Sequence, residues 1–190
     1  MANYAAANLE PTQEELFNVT LNRLTIEVFR LRSHLAILKT LKKREHICRR
    51  SKFLVGVVDA IRSDVLIRLV RLFEESGRVC SFWYLHRSDG KRVSEGLDIR
   101  SLREFSRRIK SIRNKTFVHI DAKGVFNPQA IYKAAGIKDS EISDVVEKVF
   151  RVLGKLNYEI FPNPPKYHLE LTQDHLLEIY EKDLEALGIR

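Results

Sequence analysis

The sequence predicts an all-α protein. Apolar residues recur at steps of three and four through four long stretches, the breaks between them carry glycine, proline or capping residues, and little of the chain is left over for a sheet. The 190 residues suit one domain, or one domain with an extension, and 44% hydrophobic content is enough for a core.

The division expected is a flexible N-terminus over 1–11, a helical domain over 12–161, and a proline-rich linker with an acidic C-terminal helix over 162–190. Pro11 and Thr12, followed by Glu14 and Glu15, open the first helix, with acidic side chains in its positive first turn. Leu24, Val28, Leu31, Leu35 and Leu38 form its seam, and it runs to about residue 44. Ser51 opens a second helix with Leu54, Val58, Ile61, Val65, Leu69 and Leu72 on one face, broadened by Val57, Leu66, Val70 and Phe73. That width predicts a central, heavily buried helix ending at Gly77. Within it Asp59 pairs with Arg62 and Asp64 with Arg68, so ion pairing rather than catalysis explains both carboxylates. Phe82 to Leu85 read as a short piece packed on the bundle before a turn at Ser88-Asp89-Gly90. Core anchoring is the expected role of Phe82 and Trp83, with base stacking beside Arg87, Lys91 and Arg92 as the alternative.

The third helix starts between Asp98 and Ser101, where Ser101 and Glu104 have capping-box spacing. Asn127-Pro128 opens a short helix ending at Gly136, and Asp139 or Ser140 caps a fourth main helix. Its apolar positions are Ile142, Val145, Val149, Leu153 or Val152, Leu156 and Ile160, and Phe161-Pro162 stops it. Thr172 to Leu187 form the C-terminal helix, which covers a basic face or meets a partner.

Charge is concentrated. The chain carries +8 overall, and two stretches exceed that total between them: Lys39 to Arg50 holds six basic residues against Glu45, and Arg100 to Lys115 holds seven against Glu104. An anionic partner, nucleic acid or a membrane surface, follows from such patches. No stretch reaches the roughly 18 apolar residues of a membrane span, and the start lacks a signal-peptide pattern. Cys48 and Cys80 form neither a scaffold nor a metal pair, so a reduced cytoplasmic protein is expected. Phosphate-binding glycine motifs and a nucleophile elbow are absent, and the histidines have no metal-ligand spacing, so no metal or other cofactor is expected.

The chemistry converges on Ile112 to Asp121, I-R-N-K-T-F-V-H-I-D. The seam Leu102, Phe105, Ile109, Ile112 continues through Thr116 to His119, so a histidine ends an apolar stripe with Arg113 and Asn114 just before it. A guanidinium, an amide and a titratable base suit phosphodiester chemistry. Packing and capping are the alternative. On a straight helix Arg113 and His119 stand about 9 Å apart along the axis and about 120° around it. They converge if the helix loosens, if Arg113 reaches along the surface, or if a second copy supplies the opposite partner.

R-N-K-T-F-V-H resembles the signature of the HEPN superfamily, an arginine and a histidine separated by four to six residues with a polar residue after the arginine. K-F-L-V-G-V-V-D-A-I-R-S-D-V-L-I-R-L-V-R-L-F and H-I-D-A-K-G-V-F-N-P-Q-A-I-Y-K-A-A-G-I are similar to the flanking segments of AbiU-like members from phage abortive-infection systems, over about residues 12–161. The resemblance implies a bundle of four main helices with a short helix after the motif, and a metal-independent endoribonuclease acting as a toxin or phage-defence effector. In such a site His119 takes the proton of a ribose 2′-hydroxyl, its ordinary pKa of about 6.5 lying near cellular pH. Arg113 binds the scissile phosphate, Asn114 orients one of these two side chains or the phosphate, and a homodimer completes the site. Arg107, Arg108, Lys110 and Lys115 are the expected contacts to RNA backbone, tRNA among the candidate substrates, with a cognate antitoxin or regulator as a further partner. HEPN toxins silenced by adenylylation carry tyrosine two residues after the histidine. Here Asp121 stands there, to orient His119 or to cap the helix. The competing expectation is a non-catalytic helical module binding RNA or protein.

Overall fold

A computed structural model of the chain describes residues 10–76, 79–114, 134–161 and 172–189. All regular structure among them is helical: α1 (Gln13–Lys43), α2 (Glu45–Cys48), α3 (Lys52–Leu72), α4 (Phe82–Ser88), α5 (Gly90–Val93), α6 (Ile99–Arg113), α7 (Asp139–Ile160) and α8 (Gln173–Ala186). The protein is therefore all-α, with α1, α3, α6 and α7 as its four main helices.

Thr12 caps α1 in a reciprocal box with Glu15, whose carboxylate is held below its usual pKa by the Thr12 backbone N–H and hydroxyl. From there α1 serves as the spine, packing on α3, α7, α8 and α4. Leu21, Leu24, Val28 and Leu31 are buried against Leu69 and Leu72 of α3, Phe82 and Leu85 of α4, and Val149 and Leu153 of α7. Beside this apolar core a buried guanidinium, Arg32, donates from Nε to Glu147 Oε2 at 2.8 Å and stacks 4.0 Å from the Phe150 ring. The arginine joins α1 to α7 by charge.

α3 differs from expectation in two respects. Its buried residues, Val65, Leu66, Leu69, Val70 and Leu72, all lie in the second half, while Phe53 near its start is 77% exposed. Among the described residues only the end of α1 and the short α2 lie beside the first turns, a narrow partner surface for the wide apolar face. The helix also stops at Leu72, with Phe73 as its cap, earlier than the Gly77 stop expected. Asp59–Arg62 and Asp64–Arg68 pair within the helix as expected, and Arg68 also binds Glu27 of α1.

Ser81 caps α4, which buries Phe82, Trp83 and Leu85, so these aromatics are core anchors. Lys138 rather than Asp139 or Ser140 occupies the cap position of α7, without a side-chain cap. Asp139 instead sits in the first turn, where its charge meets the helix dipole. Phe161 ends α7 in an extended conformation, as a residue before proline must. The short helix expected from Pro128 begins outside the described residues; Ala134 and Ala135 are helical, and Gly136 ends them at φ +61. α8 lays Leu176 and Leu177 against Ala36 of α1, and Glu181 and Glu185 reach Lys43 and Arg44. The acidic helix thus covers part of the basic face at 39–50. Cys48 is buried and Cys80 exposed, both as free thiols. Among the described residues no helix is long and apolar enough to cross a membrane.

Candidate active site

The helix carrying the arginine is set by its two ends and one face. Asp98 opens α6, its Oδ1 accepting from the backbone N–H groups of Arg100 and Ser101 at 3.1 and 3.2 Å, and its Oδ2 from the Ser101 hydroxyl at 2.7 Å. These donors, the hydroxyl first, hold the Asp98 carboxyl below its usual pKa. The cap is thus Asp98, and Ser101 donates to it instead of pairing with Glu104: an aspartate three residues before Ser101 offers an acceptor already aimed at the helix N-terminus.

Leu102, Phe105, Ile109 and Ile112 are buried at steps of three and four, which points the remaining faces of α6 outward. Phe105 meets the Phe73 ring edge-on at 5.9 Å, and the buried Ser106 hydroxyl donates to the Phe73 carbonyl at 3.2 Å. The chain leaving α3 is therefore fastened to the middle of α6. One residue further on, the Glu74 carbonyl accepts from the Ser81 hydroxyl at 2.6 Å. The Ser81 hydroxyl oxygen also caps α4, accepting from the Tyr84 N–H.

Held from both sides, Glu74 turns its carboxylate to the last turn of α6. Oε2 accepts from Arg113 Nη1 at 3.3 Å, and Oε1 lies 4.0 Å from Lys110 Nζ. Arg113 is gripped along its other edge by the next residue, Nε and Nη2 donating to Asn114 Oδ1 at 3.1 and 3.0 Å. The arginine side chain is 29% exposed and that of Glu74 21%. A guanidinium so fixed, at the rim of the core and open to solvent, can meet an oxyanion without first losing side-chain freedom.

Of the residues singled out on the sequence, Arg113, Asn114 and Lys110 thus come together within one turn. Arg107 is exposed on the outward face of the same helix. Arg108 turns the other way, donating from Nη1 to Glu141 Oε2 of α7 at 3.1 Å and to the Gly136 carbonyl at 3.3 Å, with a second bond to Glu141 from Nη2. It fastens α6 to α7. Lys115, His119 and Asp121 lie outside the described residues. The group that sequence reasoning missed is Glu74. Its one signal is position, an acidic Glu74-Glu75 pair just past an apolar seam, and nothing in a helical periodicity relates residue 74 to residue 113.

The base-stacking alternative loses its aromatics to the core, for Trp83 is 3% exposed, and Arg92 donates to Glu159 at 2.9 Å. A cavity of about 570 Å³ lies elsewhere, between α1, α7 and the start of α8, where Arg32, Glu147, Phe150 and Lys155 line it. No described group of three or more His, Cys, Asp or Glu side chains is placed to hold a metal ion. No family model fits the chain, and no curated protein or solved structure is significantly similar.

Proposed function

We propose that the protein is a metal-independent endoribonuclease of HEPN type, resembling the AbiU-like abortive-infection proteins, that cuts RNA at a site completed by a second copy of the chain. One observation carries the reading: the arginine of the R-N-K-T-F-V-H motif is held by its neighbouring asparagine at a solvent-facing rim, on the most basic helix. The role of Arg113 is to bind the scissile phosphate and stabilise the charge that grows on it. His119 takes the proton of the ribose 2′-hydroxyl, and the 2′-oxygen attacks phosphorus. The bond to the 5′-oxygen breaks, that oxygen is protonated by an imidazolium or by water, and a 2′,3′-cyclic phosphate and a 5′-hydroxyl end result. DNA lacks the attacking hydroxyl and is spared. A defence or toxin role, a cytoplasmic location and a cognate antitoxin or regulator belong to the same proposal.

A second reading has one observation in its favour. Glu74 already accepts from Arg113, which is what a structural arginine in a non-catalytic RNA- or protein-binding module would need. Incubation with tRNA and total RNA separates the two. The nuclease reading expects cyclic-phosphate ends, cleavage unaffected by EDTA, a loss of about 100- to 10,000-fold with His119→Ala and of about 100- to 1,000-fold with Arg113→Ala. RNA left intact by the wild type, or cut equally well by His119→Ala, refutes it. Light scattering at micromolar concentration tests the composite site, which a strict monomer would rule out.

A further inference from the structure

Four cations stand in line on the outward face of α6. Arg100, Arg103, Arg107 and Lys110 follow one another at steps of three and four, all exposed, and the same steps lead to Asn114. By helix geometry the row spans about 15 Å. It ends at the site, because Lys110 shares the Glu74 carboxylate with Arg113.

What sets this row apart from an ordinary solvated helix face is how its charges are held. Arg103 rests over the Trp83 ring at 5.2 Å, so it is positioned by an aromatic face and keeps its full charge. Neither Arg103 nor Arg107 has an ion pair among the described residues. Among the same residues Arg100 has only Glu104, at 3.7 Å and with its own side chain 91% exposed. Several cations elsewhere are paired within the protein: Arg108 with Glu141, Lys43 with Glu181, Arg44 with Glu185, Arg92 with Glu159 and Lys155 with Glu95. The row is thus a continuous cationic stripe on one helix face, and His86 beside Trp83 stays short of protons because burial and the positive charges of Arg103 and Arg87 oppose them.

We infer that this face is a track for the RNA backbone flanking the cut, with Arg103 and Arg107 as its central phosphate contacts. The inference rests on the nuclease reading and gives the substrate a shape: a strand several nucleotides long, held beside α6 while one phosphate reaches Arg113. Sequence specificity has no part in it, since guanidinium and ammonium groups facing outward read phosphates and not base edges.

The test is the salt dependence of binding, in protein carrying His119→Ala so that the probe stays whole. A fluorescent single-stranded RNA of about 12 nucleotides is titrated from about 50 to about 200 mM salt, where the slope of log affinity against log salt is about 0.7 per phosphate neutralised on a single strand. Arg103→Ala with Arg107→Ala should lower that slope by about 1.4. The lysine pair at the same positions should restore it, which separates lost charge from a damaged fold. Arg23→Ala with Arg30→Ala, on the exposed side of α1, removes equal charge and should leave the slope unchanged. An unaltered slope in the first variant, an equal fall in the α1 control, no rescue by lysine, or no RNA binding at all overturns the track. Cleavage by protein with His119 intact is read separately: a protein that never cuts RNA but loses slope as stated keeps the track and loses the nuclease.

Discussion

Replacing Glu74 by glutamine should make the protein bind RNA more tightly. The carboxylate stands where a phosphate bridging Arg113 and Lys110 would stand, 3.3 Å from one cation and 4.0 Å from the other, so RNA must displace it or approach beside it. A unit charge about 4 Å from a second costs about 1 kcal/mol in bulk water and about 4 kcal/mol at the effective dielectric of a protein surface. Both side chains are partly solvated, 29% and 21% exposed, which puts the repulsion felt by an incoming phosphate near the lower end, about 1–2 kcal/mol. That corresponds to roughly a 5- to 30-fold gain in affinity. Orientation of Arg113 should survive, because Asn114 Oδ1 holds two of its nitrogens independently of Glu74, and the glutamine amide can still accept one hydrogen bond. The assay is fluorescence anisotropy with an RNA carrying 2′-deoxyribose at the cutting position, at two salt concentrations, the gain shrinking at the higher one. Unchanged or weaker binding by Glu74→Gln would refute the reasoning and mark Glu74 as a support of the arginine rather than a competitor of the phosphate.

Three further outcomes follow from the packing. Glu147→Ala leaves the buried Arg32 guanidinium without its carboxylate and should cost about 2–3 kcal/mol, below the full range for a buried pair because Glu147 is partly exposed; chemical denaturation measures it, and a cost under about 0.5 kcal/mol would contradict the pairing. Phe105→Ala should cost about 3–5 kcal/mol and loosen the chain around Glu74, since its ring meets Phe73; a loss under about 1 kcal/mol would show that this contact is dispensable. The folded state holds the His86 pKa down through burial, then Arg103 and Arg87, so the unfolded chain binds its proton first. Its contribution to stability is therefore complete above about pH 6.5 and declines as pH falls below that value. His86→Gln should flatten the fall in melting temperature between about pH 7 and 5.5; an unchanged slope would assign the fall to other groups.

The sequence made the helices legible because their evidence is local. Thr12, Ser51 and Thr172 cap where capping residues precede apolar periodicity, and Leu102, Phe105, Ile109 and Ile112 are buried as their spacing requires. It misled where burial depends on what lies opposite. The wide apolar face of α3 suggested a helix enclosed throughout, yet Phe53 is 77% exposed, no broad partner face reaching it among the described residues. Within the candidate site Arg113 and Asn114 were readable as neighbours in sequence, whereas Glu74 arrives from 39 positions away through the Phe73–Ser106 and Glu74–Ser81 hydrogen bonds. Charge counting had the same blind spot. Seven cations between Arg100 and Lys115 look alike in composition, but Arg108 is tied to Glu141 while Arg103 lies over a ring.

The exposed thiol of Cys80, one residue before the serine that pins Glu74, has a practical side. Because the only other cysteine is buried, a maleimide dye placed on the native chain would report from the segment that fastens Glu74 without any engineered handle. The same thiol can join two chains by a disulfide in air, so the subunit count needs a reducing buffer: a covalent pair formed in storage would pass for the noncovalent one that the proposed site calls for.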